Sequence, residues 1–104
     1  MALTKHFKNT IMARAKTDKE FRENLIIEAT NSLLEGDIDT GKGLIRDYLN
    51  ATDNFPEVAI ELSKDEKSIR RMLGPNGNPT LTNFIGILKV CSSTEHLNLK
   101  VYQH

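Results

Sequence analysis

Along most of this chain apolar residues recur at spacings of three and four, the period of helices with one buried face. Leu3, Phe7, Ile11 and Ala15 form the first such stripe, and Thr4 stands where a cap belongs. Asp18 caps a second helix, whose stripe is Phe21, Leu25, Ala29 and Leu33, widened by Ile26 and Leu34. Gly36 ends it, as glycine commonly does just beyond a helix. Asp37 or Asp39 starts a third helix with Ile38, Gly41, Leu44, Ile45, Tyr48 and Leu49 facing inward. Asn50 to Asn54 reads as a polar break, and Phe55-Pro56 opens a fourth helix with proline in its first turn. Ser63-Lys64 makes a turn, and Asp65 caps a fifth helix.

The segment Gly74-Pro75-Asn76-Gly77-Asn78-Pro79 is too rich in glycine and proline for a helix and is a loop. Thr80 caps a last helix with Leu81, Phe84, Ile85, Leu88 and Cys91 as its core face. From His96 to Tyr102 apolar and polar residues alternate, the period of a half-buried strand. A lone strand needs an edge to pair with. With no other strand candidate in the chain, that edge belongs to a second subunit or to a different protein. The expected fold is all-α, five or six helices with a short C-terminal β-strand. Residues 1–35 are an N-terminal helical hairpin that packs on or extends the core, and residues 36–104 hold the rest.

The fourth and fifth helices have the pattern of a helix-turn-helix, whose second helix enters the DNA major groove. Ala59 supplies the small residue needed where the two helices cross. Val58 and Leu62 supply the inner face of the first, and Ile69, Met72 and Leu73 that of the second. The opposite face of the second carries Lys67, Arg70 and Arg71, with Ser68 at its side. Arginine and lysine donate to guanine O6 and N7. Lys67, Ser68, Arg70 and Arg71 are therefore the expected base readers, and Lys64, Asn78 and Thr80 the expected phosphate contacts. Ser63 departs from the pattern, because many such turns have glycine there.

Composition narrows the class. The chain has 104 residues, enough for one small domain, and a formal net charge of zero. Zero charge argues against a general nucleic-acid coat protein but not against a local basic patch. Residues 1–17 carry Lys5, Lys8, Arg14 and Lys16 and no acid. No apolar run approaches a membrane span, and the N-terminus lacks the apolar core of a signal peptide, so the expected location is cytoplasmic. The single cysteine, Cys91, excludes an internal disulfide and a cysteine zinc cage, and reads as a buried small hydrophobe.

Other motifs fail on their chemistry. Gly36 to Gly43 nearly matches a phosphate loop, but Gly43 lacks the hydroxyl that would hold Mg²⁺ and a helical stripe, not a strand, precedes it. Asp37 and Asp39 resemble the start of a calcium loop whose later ligands are absent. Asn50-Ala51-Thr52 is a glycosylation sequon without a secretion signal. His6, His96 and His104 are dispersed, so no metal cluster is expected. No catalytic arrangement stands out, so neither enzyme nor cofactor is expected.

Several blocks resemble a known family. Leu3-Thr4-Lys5-x-Phe7-Lys8 and Arg14-Ala15-x-x-Asp18-x-x-Phe21-Arg22 look like the probable addiction-module antitoxins. So do Gly36-Asp37-x-x-Thr40-Gly41-Lys42-x-Leu44-x-Arg46-Asp47-Tyr48-x-Asn50-Ala51-Thr52 and Lys67-Ser68-x-x-Arg71-Met72-Leu73-Gly74-Pro75-x-Gly77-Asn78-Pro79-Thr80. These are small HigA-like bacterial antitoxins. The resemblance implies a lambda-repressor-like helix-turn-helix in residues 36–104, operator binding as a dimer, and neutralisation of a RelE/ParE-like toxin. The hairpin is surplus to that fold and is either a toxin surface or extra core. The expected oligomer is a homodimer, through the strand Leu97 to Tyr102, and a different class stays open: a protein-interaction module whose hairpin or tail binds a partner protein without reading DNA.

Overall fold

The computed structural model describes residues 5–103, and for residues 5–9 the backbone only. Among the described residues the chain is all helical: α1 (Lys5–Thr17), α2 (Lys19–Leu34), α3 (Ile38–Thr52), α4 (Phe55–Leu62), α5 (Glu66–Met72) and α6 (Leu81–Thr94). Four of these starts are fixed by side-chain caps. The carboxylates of Asp18, Asp37 and Asp65 and the hydroxyl of Thr80 accept the backbone N–H of Phe21, Thr40, Ser68 and Asn83, respectively. Each satisfies an N–H that the helix itself leaves unbonded. The expected cap Thr4, and the expected stripe residues Leu3 and Phe7, lie outside the residues whose side chains are described.

Helix ends follow from backbone chemistry. Gly36 takes φ 87° after α2, and Asp37 N–H returns to Ser32 O at 2.8 Å. Helix α3 runs three residues into the expected polar break, through Thr52. Ala51 is buried and the Thr52 hydroxyl donates to Tyr48 O at 2.8 Å, so both belong to the helix. Asp53, left-handed at φ 55°, then stops it.

One core joins all six helices. Ala15, Leu25, Ile26 and Ala29 of the first two share a continuous cluster with Ile45, Tyr48 and Leu49 of α3, Phe55 and Val58 of α4, Ile69 of α5, and Phe84, Ile87, Leu88 and Cys91 of α6. Helix α2 lies close along α3: a Cβ at Gly41 would sit 2.7 Å from the Leu33 side chain. Four expected core positions are instead exposed by at least two-fifths, Leu34, Ile38, Leu81 and Ile85, and Val101 of the half-buried strand expected in the tail is 82% exposed. In α6 the buried face keeps Phe84, Leu88 and Cys91 of the expected one, with Ile87 in place of Leu81 and Ile85. In α3 the buried set includes a lysine, Lys42, in place of Ile38.

The C-terminal ends of α1 and α6 each meet a cation of α2. Arg22 Nη1 donates to Ala15 O at 3.0 Å, and Lys19 Nζ to Glu95 O at 2.8 Å. Cations suit these ends because unpaired carbonyls gather there. No described helix is long and apolar enough to cross a membrane. Residues 97–103 form no strand within the chain. A single chain offers them no edge, and Asn98 to Gln103 make no backbone hydrogen bond among the described residues.

Candidate nucleic-acid interface

The turn between α4 and α5 is built by its backbone. Ser63 is left-handed (φ 53°, ψ 44°), its N–H donates to Ile60 O at 3.1 Å, and Lys64 N–H donates to Ala59 O at 2.9 Å. Asp65 then opens α5 by accepting the Ser68 N–H at 2.7 Å. The two helices pack through their inner faces. Ala59 and Ile69 are buried, and Leu62 and Met72 are half-buried. The four residues expected to form the helix-turn-helix core are thus all turned at least partly inward, with Leu62 also resting against Gly86 of α6.

The expected contact residues fall into two sets. Ser68, Arg71 and Asn78 line one shallow cleft of about 300 Å³, together with Met72, Asn76 and Gly77. This cleft runs between α5 and the loop that follows it. Lys64, Lys67, Arg70 and Thr80 are exposed but do not line it. The Thr80 hydroxyl already accepts the Asn83 N–H at 3.1 Å.

Arg70 is held by its own protein. Its Nη2 meets Glu66 Oε1 at 3.0 Å, its Nη1 reaches Asn50 Oδ1 at 3.3 Å, and its Cζ lies 4.0 Å from the centre of the Phe55 ring. This places Arg70 across the seam of α3, α4 and α5. The pairing with Glu66 is an i, i+4 contact and was readable from the spacing. The contacts with Asn50 and Phe55 needed the fold.

Two residues that position this surface escaped the sequence reading. Lys42, buried on α3, donates through Nζ to Gly74 O at 3.1 Å and Gly77 O at 2.7 Å. One turn on, Arg46 Nη1 donates to Leu73 O at 2.9 Å. Together they satisfy carbonyls at the end of α5 and in the loop. The loop presses against α5: a Cβ at Gly77 would overlap the carbonyl oxygens of Arg71 and Met72. A signal existed, since Pro75 and Pro79 remove N–H donors from the loop and leave its carbonyls to find donors elsewhere. Lys42 of the near-match to a phosphate loop is therefore spent on backbone carbonyls.

Electrostatics sharpen the picture. The Ser68 backbone N–H, and then its hydroxyl, hold the Asp65 carboxyl below the usual carboxylate range, with a smaller contribution from Arg71. Asp65 is thus ionised beside the basic face and offsets part of its charge. Burial pushes the Cys91 thiol up to about 12, which leaves it protonated and without nucleophilic character at neutral pH. No protein-family model, curated protein or solved structure matches this chain.

Proposed function

We propose that this chain is the antitoxin of a bacterial toxin–antitoxin module and represses its own operon by binding operator DNA through α4 and α5. The observation that carries this reading is the cleft shared by Ser68, Arg71 and Asn78, beside a short helix that follows a tight turn. Two short helices joined by a tight turn, as a helix-turn-helix requires, support this reading, and Lys67 and Arg71 stand exposed on the second of them. In this reading Arg71 and Ser68 contact bases and Lys67 flanks them. Lys64, Asn78 and Thr80 contact phosphates, and Arg70 fixes how α5 is presented. A dimer sets two such helices about 34 Å apart, one turn of DNA. The neutralised partner is a RelE/ParE-like toxin.

The test is a fluorescence-anisotropy titration onto DNA from immediately upstream of the gene, with scrambled DNA as control. Selective binding that Arg71→Ala abolishes supports the proposal. Equal or absent binding to both DNAs overturns it.

A second reading has its own observation. Leu34, Val101 and Tyr102 are exposed by 67%, 82% and 72%, which favours a protein contact. As a pure interaction module the chain would bind a partner protein and show no steep loss of DNA affinity with salt, the sign of released counterions.

A further inference from the structure

We infer that Asn76, at the tip of the loop after α5, reads an adenine at a base pair neighbouring the one that Arg71 contacts. The inference rests on the operator-binding reading and adds to it a contact that the basic face of α5 does not supply.

The turn that carries Asn76 is held in three ways. Gly77 N–H donates to Gly74 O at 3.0 Å, so Gly74 to Gly77 form a β-turn with Pro75 and Asn76 at its corners. Proline fixes its own φ at the first corner. The buried Lys42 ammonium donates to the carbonyls of both end residues, Gly74 at 3.1 Å and Gly77 at 2.7 Å. Gly77 lies against the carbonyls of Arg71 and Met72, which a Cβ there would overlap. Asn76 is therefore held at a fixed offset from the last turn of α5, which bears Arg71.

The side chain is presented, not packed. Asn76 is exposed and lines the cleft with Ser68, Arg71 and Asn78, and its carboxamide has no hydrogen-bond partner among the described residues. A carboxamide carries a donor and an acceptor side by side. Adenine offers the matching pair in the major groove, N7 accepting and N6 donating, whereas guanine offers two acceptors, which suit arginine. Arg71 and Asn76 thus bring the two complementary chemistries to one cleft. A phosphate takes donors only and would leave the carboxamide oxygen unused. A reader on a closed turn also has little freedom left to lose on binding. Asn78 lies outside the closed turn, and its role stays with the phosphates.

Fluorescence anisotropy on the upstream fragment, with each adenine in turn replaced by 7-deazaadenine, tests the contact. That base keeps its pairing and its N6 but lacks the N7 acceptor. Wild-type affinity should fall roughly fivefold or more at one adenine of each half-site. Asn76→Ala should bind the parent DNA more weakly by a similar factor and be indifferent to that replacement. Its melting temperature should be unchanged, because Asn76 is exposed, and its discrimination at the Arg71 base pair should remain. Asn76→Ala responding to every replacement as the wild type does would overturn the inference. So would a uniform loss of affinity in Asn76→Ala with no single adenine singled out by the wild type, the mark of a phosphate contact. In both cases the wild type still prefers the upstream fragment to scrambled DNA. Loss of that preference in the wild type is the separate result that defeats the operator reading, and this inference with it.

Discussion

Tyr48 and Glu95, 47 residues apart, are joined inside the protein: the Tyr48 hydroxyl donates to Glu95 Oε2 at 2.8 Å. The same oxygen accepts Arg22 Nε at 3.0 Å, so α2, α3 and the end of α6 meet at one carboxylate. Glu95 is only 5% exposed. Burial, and then the neighbouring Glu95 carboxylate, push the Tyr48 hydroxyl well above its ordinary value, so it remains a donor at any physiological pH. Tyr48→Phe leaves the carboxylate one donor short. Hydrogen bonds to charged groups contribute roughly 1.5–3 kcal/mol. Urea denaturation should show a loss of that size, and a loss below about 0.5 kcal/mol would mean water replaces the hydroxyl without penalty.

Ser63 holds a backbone conformation that suits glycine. Its φ of 53° and ψ of 44° cost a residue with a Cβ about 1–2 kcal/mol, against the larger unfolded-state entropy of glycine. Ser63→Gly should therefore stabilise the fold by roughly 0.5–1 kcal/mol. Ser63→Val, β-branched at the same position, should destabilise it. Thermal melts of both variants check the sign, and opposite signs are the expected result. Many turns of this kind have glycine here, and serine is the departure. In the structure the turn forms and the serine carries the strain.

What could be read from the sequence was what is decided locally. Caps at Asp18, Asp37, Asp65 and Thr80 act on a backbone N–H three residues away, so residue type and spacing suffice. The inward face of α6 was not decided locally. Leu81, Phe84, Ile85, Ile87 and Leu88 support two overlapping stripes, and docking against α4 and the rest of the core chooses the one containing Ile87. Lys42 was hidden for the same reason, because its carbonyl partners lie 32 and 35 residues downstream. In the candidate interface the outward basic residues were readable from helical spacing. That Arg70 folds back onto Phe55 and Asn50 was not, since both partners sit on other elements.

Lys42 ties the loop after α5 to α3, and its removal should be felt in two places. Lys42→Met keeps the buried stem and deletes the ammonium, leaving the carbonyls of Gly74 and Gly77 without this donor. Asp39, its exposed partner at 3.4 Å, contributes little to the balance. A stability loss of about 2–3 kcal/mol is expected from the charged hydrogen bonds. DNA affinity should fall as well, because Asn78 and the cleft wall beside Arg71 ride on that loop. Lys42→Met with full stability would show that the loop does not depend on the lysine.

Acid should weaken the fold through its caps. The backbone N–H of Phe21 holds the Asp18 carboxyl low, the Thr40 hydroxyl and then its N–H do so for Asp37, and the Ser68 N–H for Asp65. Each group binds its proton less readily folded than unfolded. Its contribution is therefore present above the unfolded value of about 3.9 and is lost as pH falls through the lower folded value. Unfolding free energy should drop across that window. In a chain carrying Asp18→Asn, Asp37→Asn and Asp65→Asn, whose amide oxygens still cap, the drop should be shallower. Parallel pH profiles for the two proteins would exclude the caps as the cause.

Arg70 and Arg71 are neighbours in sequence with different expected roles, and paired alanine variants separate them. Arg70 bridges Glu66 and Asn50 and covers the Phe55 ring. It is about half exposed, so the ion pair contributes at most about 1 kcal/mol and the ring contact a similar amount. Arg70→Ala should lower stability by roughly 1 kcal/mol. Its effect on operator binding should be modest and uniform across base changes. Arg71 is exposed and lines the cleft with Ser68 and Asn78. Arg71→Ala should leave the melting temperature unchanged, cost on the order of 1–3 kcal/mol of binding and relax preference at one base pair. Titrating both variants against a panel of single-base operator changes reads the two roles separately. Relaxed specificity in Arg70→Ala, with Arg71→Ala indistinguishable from wild type, would show that the arginine held on Phe55 leaves it to read the DNA.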